Sequence, residues 1–177
     1  MIRISKTALA AVAAFVLTLP TLSAQAQAPT KNIVETAAGN PDFSTLVAAV
    51  KAAGLVDTLE GAGPFTVFAP TNAAFAKLPA GTVDTLLKPD NKDQLAKILT
   101  YHVVAGKVSS KELIKLIKKG GGKAALKTVS GGTLTASITG GKVILTDEKG
   151  GTATVTIADL NQSNGVIHVI DSVLLPN

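Results

Sequence analysis

Pairs of turn-forming residues recur about every ten positions through the second half of the chain, and this spacing constrains the fold more than any other feature. The pairs are Gly131-Gly132, Gly140-Gly141, Gly150-Gly151 and Asn164-Gly165. Glycine supplies the positive φ angles that tight hairpin turns need, so each pair predicts a hairpin. The sequence therefore predicts an antiparallel meander.

The segments between these turns predict the strands, at residues 134–138, 143–145, 153–157 and 166–175. The first and third alternate apolar and polar residues, so we expect one face of each strand to contact water. The last segment is nearly all apolar, which is typical of a strand that is covered on both faces.

The first half of the chain predicts helices and one short strand, at residues 64–69 before Pro70. Asn32 and Glu35 are spaced as a capping box, with Gly39 as the stop, and Ser109 and Glu112 repeat that pattern near the middle of the chain. Three further start signals are predicted at Asp42, at Thr71 or Asn72, and at Asn91. Asp42 begins a helix whose apolar face is Phe43, Leu46, Val47 and Val50, ended by Gly54.

The N-terminus has the three parts of a secretory signal. Residues 1–6 carry two basic residues and no acid, residues 7–22 are mostly apolar, and Ala24-Gln25-Ala26 is a small-x-small site. We expect cleavage after Ala26, because Pro29 would obstruct cleavage after Ala28. Residues 27–177 then form one secreted or periplasmic domain. A retained membrane anchor is the alternative.

Composition excludes several kinds of site. Cysteine is absent, which excludes disulfides and thiolate metal sites, and two histidines cannot form a three-histidine zinc site. Few aromatic residues are present to stack on single-stranded nucleic acid, and no sequence pattern of a catalytic site is found. We expect no metal, no cofactor, no nucleic-acid partner and no enzyme activity.

The positive charge of the chain is concentrated in one segment. The formal charge is +5, and removal of the two basic residues of the signal leaves 15 basic and 12 acidic residues, or +3. Residues 107–127 hold seven lysines and one acid. Lys111, Lys115, Lys118 and Lys119 stand at helical spacing, opposite Leu113, Ile114 and Ile117. Such a stripe is most often a solvated face, and it can also attract acidic polysaccharide or lipid headgroups.

Three segments together resemble the signature boxes of the fasciclin domain family. They are Phe65-Thr-Val-Phe-Ala-Pro-Thr-Asn-Ala-Ala-Phe75, Leu99-Thr-Tyr-His-Val-Val-Ala-Gly106 and Asn164-Gly-Val-Ile-His-Val-Ile-Asp-Ser-Val-Leu-Leu-Pro176. The resemblance implies an α+β fold in which helices pack along a wedge of mostly antiparallel strands. It also implies a secreted or surface protein that acts in adhesion or matrix contacts.

The same resemblance implies candidate contact residues. In animal relatives, the Tyr-His box and an Asp-Ile pair before the last box are tied to integrin contacts, and the matching positions are Tyr101, His102, Asp159 and Leu160. Leu160 departs from the isoleucine of that pair. From its spacing alone, His102 lies on the apolar face of a helix and is most simply a core residue.

Four other polar residues have a structural interpretation. Thr71 or Asn72 can cap the helix that follows Pro70. His168 and Asp171 lie three apart in a predicted strand, so their side chains point to opposite faces and cannot jointly hold a metal ion. Each is expected to need a hydrogen-bond partner beside buried backbone.

The sequence thus favours a non-enzymatic adhesion or matrix protein whose partner is a surface protein, an anionic polysaccharide or a lipid headgroup. The alternative is a carrier of a small apolar ligand such as a carotenoid, held in a cleft between helices and sheet.

The exported protein should begin at Gln27, because the small-x-small site ends at Ala26. The intact mass of the exported protein tests this expectation. A mass that retains Met1 would show that the segment is not a cleaved signal.

Overall fold

The computed structural model describes residues 30–61 and 63–177. The predicted signal segment lies outside these described residues. They form seven helices, α1 (Ile33–Ala38), α2 (Ser44–Ala53), α3 (Val56–Glu60), α4 (Asn72–Ala76), α5 (Thr82–Leu86), α6 (Lys92–Tyr101) and α7 (Ser110–Lys119). They also form seven strands, β1 (Phe65–Pro70), β2 (Val103–Ala105), β3 (Lys123–Lys127), β4 (Thr133–Thr139), β5 (Lys142–Thr146), β6 (Thr152–Gln162) and β7 (Gly165–Ile170).

Local capping signals set the ends of several helices. The Asn32 side chain accepts from the amide of Glu35 and the Glu35 side chain accepts from the amide of Asn32, so the predicted capping box of α1 is confirmed. The Ser109–Glu112 box opens α7 in the same way. Gly54 ends α2 in the left-handed conformation at φ 69°, which glycine adopts without steric cost.

The predicted start of α2 at Asp42 is wrong. Asn40 instead caps a 3₁₀ turn at Pro41–Phe43, and its side chain accepts from the amide of Asp42. Helix α2 then begins at Ser44, and its second amide, from Thr45, donates to Oδ1 of Asn72 over 3.0 Å. Asn72, which is 27 positions away in the sequence, therefore caps α2.

The strands form one sheet in the order β2-β1-β7-β6-β5-β4-β3. The neighbours β1 and β7 are parallel and all other pairs are antiparallel. A single bridge between Val104 and Thr128 links the two edges, so the sheet is nearly closed. The predicted meander and its four turns are confirmed, and so is the α+β fold class.

Four of the strands differ from the prediction. Strands β2 and β3 are additional, and β6 extends to Gln162 through register shifts. The closing strand ends at Ile170 rather than at Leu175. Beyond the strand, the amides of Leu174 and Leu175 donate to His102 and Asp147 side chains, which replace the pairing of a strand.

Two apolar cores lie on opposite faces of β1 and β7. Val67 and Val169 face the first core, together with α1, α2 and α6. Phe68 and Ile170 face the second core, into which α7 and the inner sides of β3–β5 pack. Strand β7 is buried along its whole length, as predicted. This arrangement leaves the outer side of α7 and of the hairpin strands facing water.

We expect Asn72→Ala to lower the free energy of unfolding by about 1–2 kcal/mol, because its side chain also donates to the Pro41 carbonyl and the Ser44 hydroxyl. Asn72→Asp is the matched control, since it keeps the acceptor for Thr45 and loses the donors. Urea denaturation measures both. Equal stability of the alanine variant and the wild type would show that this link contributes nothing.

Candidate functional site

The outer side of α7 carries a group of exposed lysines. Lys111, Lys115, Lys118 and Lys119 are exposed, and so is Lys123 at the start of β3. We call these five residues the basic face. In the described part of the chain the one ion pair is Lys77–Asp171, at 3.7 Å, so no carboxylate neutralises the basic face by a direct contact. The charge is available to an anionic partner.

The sequence of α7 places these lysines outward. Leu113 and Ile117 are buried in the second core, which turns the opposite side of the helix to water. Ile114, predicted on the apolar side, is half-buried, and Leu116 is exposed among the lysines. The lysines thus surround one apolar side chain on an otherwise charged surface.

Asp159 fixes the start of α7 to the sheet. It lies at φ 60° in the irregular part of β6, and its carboxylate accepts from the Ser110 amide at 2.7 Å and from the Ser110 hydroxyl. Partial burial works to raise the pKa of Asp159, but the hydrogen bonds from Ser110 outweigh it and the pKa lies below its usual value. A carboxylate at this end of a helix also interacts favourably with the helix dipole.

His168 also stabilises this junction between α7 and β6. Its Nδ1 accepts from the Asp159 amide at 3.3 Å, so its Nε2 carries the proton and donates to the Val108 carbonyl at 2.9 Å. The ring stacks on Phe68 with centroids 5.5 Å apart. Ser110, Asp159 and His168 therefore meet, but the serine hydroxyl donates directly to the carboxylate and the histidine forms hydrogen bonds only with backbone groups. This arrangement fixes the start of α7 to β6.

Tyr101 and His102 both lie in the interior, with 0% and 2% of their surface exposed. The Tyr101 hydroxyl donates to the Thr133 carbonyl at 2.9 Å and accepts from the Glu148 amide at 3.2 Å. Burial raises the pKa of Tyr101. A Cβ on Gly132 would lie 2.6 Å from the tyrosine ring, so that position has room only for glycine. The hydroxyl joins two hairpins and is not accessible to a partner.

His102 uses both ring nitrogens inside the protein. The Leu174 amide donates to Nε2 at 3.0 Å, so the proton lies on Nδ1, which donates to the Ile98 carbonyl at 2.8 Å. Complete burial lowers the pKa of His102 to about 4. The neutral ring thus connects the end of α6 to the C-terminal segment, and it presents no surface to a receptor.

The other predicted residues are placed apart from one another. Thr71 caps α4 by accepting from the Ala74 amide, whereas Asn72 caps α2 as described. Asp171 lies just past β7 and accepts from the Thr154 amide at 2.8 Å, and Leu160 is half-buried against the first core. The pair at Asp159 and Leu160 is thus turned partly inward.

An apolar cavity lies in the first core between α1, α2 and β1. Its lining includes Ile33, Leu46, Val50 and Val67, and its volume is about 30 Å³. This space holds about one water molecule and is far smaller than a site for a drug-sized ligand, which needs roughly 300 Å³ or more.

Two other kinds of feature are absent from the described residues. Across residues 30–61 and 63–177, no three acidic or histidine side chains are grouped as metal ligands. No helix in the described ranges has the length and apolar character needed to cross a membrane.

Sequence reasoning missed Ser110, and it placed Lys123 in the lysine-rich segment but not on the same face as the lysines of α7. Ser110 follows the capping residue Ser109, which is the one local signal that could indicate a role. Its partner Asp159 is 49 residues away, so the contact between them could not be predicted from local sequence. Lys123 begins a strand whose alternation is weak, because Ala124 and Ala125 are similar in character although the first is buried and the second exposed.

Comparison with known proteins places the chain in a family. The fasciclin domain model matches residues 41–176, and the chain belongs to the fasciclin domain family. Protein sll1483 of Synechocystis sp. is 56% identical over 144 residues, covering 81% of this chain and 73% of that protein. The cell surface glycolipoprotein MPB83 of Mycobacterium bovis is 37% identical over 149 residues, covering 81% of this chain and 60% of that protein.

A solved structure shows the same fold. The FAS1 domain pair of the insect cell adhesion molecule fasciclin I matches with a TM-score of 0.73 at 22% identity. The match covers 83% of this chain and 51% of that one, so this chain spans about half of the domain pair.

The buried histidine predicts a pH dependence of stability. The unfolded His102 takes up a proton near pH 6.5, whereas the folded side chain does so only near pH 4. The contribution of His102 to the free energy of unfolding is therefore complete above pH 6.5. It decreases as the pH falls from 6.5 towards 4, by up to about 1.4 kcal/mol per pH unit. Denaturation at pH 7 and pH 5 measures the change.

His102→Gln is the control, because glutamine keeps an acceptor and does not titrate, so its stability should fall less over the same range. His102→Ala should lower the free energy of unfolding at pH 7 by about 1–3 kcal/mol. Parallel pH profiles for the wild type and the glutamine variant would contradict the assigned protonation state.

Proposed function

We propose that this fasciclin-domain protein acts at the cell surface or in the extracellular matrix as a non-enzymatic adhesion module. Its basic face binds anionic groups there, on polysaccharide or on lipid headgroups. The observation that carries the proposal is the basic face, five exposed lysines, none of which forms a direct ion pair with a carboxylate within the described residues. Such a field attracts polyanions through many weak, screened contacts.

The names of two similar proteins support a location at the cell surface and a role in adhesion. One relative is named as a cell surface glycolipoprotein, and the solved structure with this fold is from a cell adhesion molecule. The predicted signal at residues 1–26 agrees with export.

The cavity of the first core gives no support to the carrier alternative. The cavity of the first core, about 30 Å³, is too small for a carotenoid unless α1 and α2 separate from β1. The hydrogen bonds of Ser110, Asp159 and His168 hold the start of α7 in place. The surface is therefore where we expect recognition.

A charge-removal variant tests the proposal. Changing Lys111, Lys115, Lys118 and Lys119 together to Gln should leave the fold intact and weaken binding to dextran sulfate at least tenfold at 0.1 M salt. Single changes should matter little, because an exposed ion pair contributes only about 0–1 kcal/mol. Wild-type binding should largely vanish at 1 M salt, where the Debye length is about 3 Å.

The matched control changes Lys31, Lys51, Lys88 and Lys92 to Gln, which removes the same charge from other exposed positions. It should bind nearly as well as the wild type. Equal losses of affinity in the two variants would show that binding depends on the net charge of the protein and not on the position of the lysines. Vesicles of phosphatidylglycerol, measured beside dextran sulfate, separate a lipid source of anions from a polysaccharide source. Wild-type protein that binds neither would refute the proposal.

A further inference from the structure

The outer side of strands β3–β6 is a second surface, and no helix of the described residues covers it. Helices α1, α4 and α6 pack near β7, β1 and β2, and α7 packs on the inner side of β3 and β4. The inward residues of these strands are buried apolar side chains, Ala124, Leu126, Leu134, Ala136, Leu145 and Ala153. Because side chains alternate along a strand, the residues between them face outward.

Those outward residues are mostly hydroxyl-bearing and lie in rows. Strand pairing aligns Thr135 with Thr146 and Thr146 with Thr152, so three threonines stand side by side on adjacent strands. The next row runs from Lys123 to Ser137, Ile144 and Thr154. Neighbours within a row are about 4.8 Å apart and the rows about 7 Å apart. We call Thr135, Ser137, Thr146, Thr152 and Thr154 the hydroxyl face.

The hydroxyl face is free to bind. Thr152 is exposed and the other four side chains are half-buried by their neighbours. Other hydroxyls in the fold are used internally, as where Thr66 donates to the Gly106 carbonyl. Within the described ranges, by contrast, none of the five hydroxyl oxygens has a protein hydrogen-bond partner. Each can act as both donor and acceptor, which matches the hydroxyl groups of a sugar.

The hydroxyl face is continuous with the basic face. Lys123 belongs to the basic face and also ends the row that contains Ser137 and Thr154. At this edge a shallow hollow of about 230 Å³ lies between α7 and β3, lined by residues that include Leu116, Lys119, Lys123 and Ala125. A bound chain can therefore pass from the lysines of α7 over β3 onto the rows of threonines.

We infer that the partner of this combined surface is an anionic polysaccharide, whose charged groups contact the basic face and whose hydroxyl groups contact the hydroxyl face. This inference rests on the proposed function and names its partner. A lipid surface offers its anionic headgroups to the lysines of α7. An extended chain with both charge and hydroxyl groups matches both faces and the edge between them.

The test replaces each threonine of the row Thr135, Thr146 and Thr152 with valine, an apolar residue of the same shape. Thr135→Val, Thr146→Val and Thr152→Val together remove three hydroxyls and keep a residue that favours strands. Binding of dextran sulfate should weaken about tenfold, which is a modest loss for three hydrogen-bonding groups. Binding of phosphatidylglycerol vesicles should not change. The matched control changes the same three residues to Ser, which keeps the hydroxyls and should keep the affinity.

Thermal melts show whether the triple variant is folded, and Thr146→Val alone, at the centre of the row, tests the same point if it is not. If dextran sulfate binds the valine variants as it binds the wild type, while the lysine variant loses binding, the inference is overturned and the proposed function stands. Binding of vesicles without binding of dextran sulfate also overturns it. Wild-type protein that binds neither probe refutes the proposed function itself.

Discussion

The parallel pairing of β1 with β7 is the constraint on which the rest of the structure depends. It joins the helical first half to the last strand of the hairpin half, with Phe65 opposite Gly165 and Pro70 opposite Ile170. Strand β7 is buried at every position, and its side chains contribute to both cores. Each buried Val or Ile is worth about 1.5–3 kcal/mol, so this one strand stabilises both halves of the molecule at once.

Burial on both sides explains why the polar residues near β7 act as internal supports. Tyr101, His102 and His168 enter the cores, where an unpaired polar group costs free energy, and each has its hydrogen bonds completed. Among the described residues, every buried side-chain nitrogen and oxygen has a partner. The buried polar groups of the described residues are therefore used within the fold, and this is one reason why we propose recognition on the outer surface of α7 and the hairpin strands.

Much of the fold follows from local sequence signals. The capping boxes at Asn32 and Ser109, the paired turn residues and the apolar closing strand act within a few residues, and the structure agrees with them. The cap of α2 by Asn72 could not be predicted, because it spans 27 residues. Strands β2 and β3 were missed for other reasons. The first has three residues, and the second contains adjacent alanines that give no clear alternation.

The candidate site, like the fold, could be predicted from the sequence only in part. The helical spacing of Lys111, Lys115, Lys118 and Lys119 is enough to place them on one side of α7. The hydroxyl rows require the register of three hairpins, which the sequence does not specify residue by residue. Asp159 was selected through a family motif, and its bond to Ser110 depends on a left-handed residue inside a strand.

The central claim is that recognition occurs on the outside of α7 and the hairpin strands and not in the core. The most direct measurement is NMR, with backbone amide shifts followed as a sulfated oligosaccharide is added to isotope-labelled protein. The shifts should change at the basic face and the hydroxyl face, and those near α1 and α2 should stay constant. Changes confined to the residues around the cavity of the first core, such as Ile33, Leu46 and Val50, would contradict the claim and favour a ligand carrier.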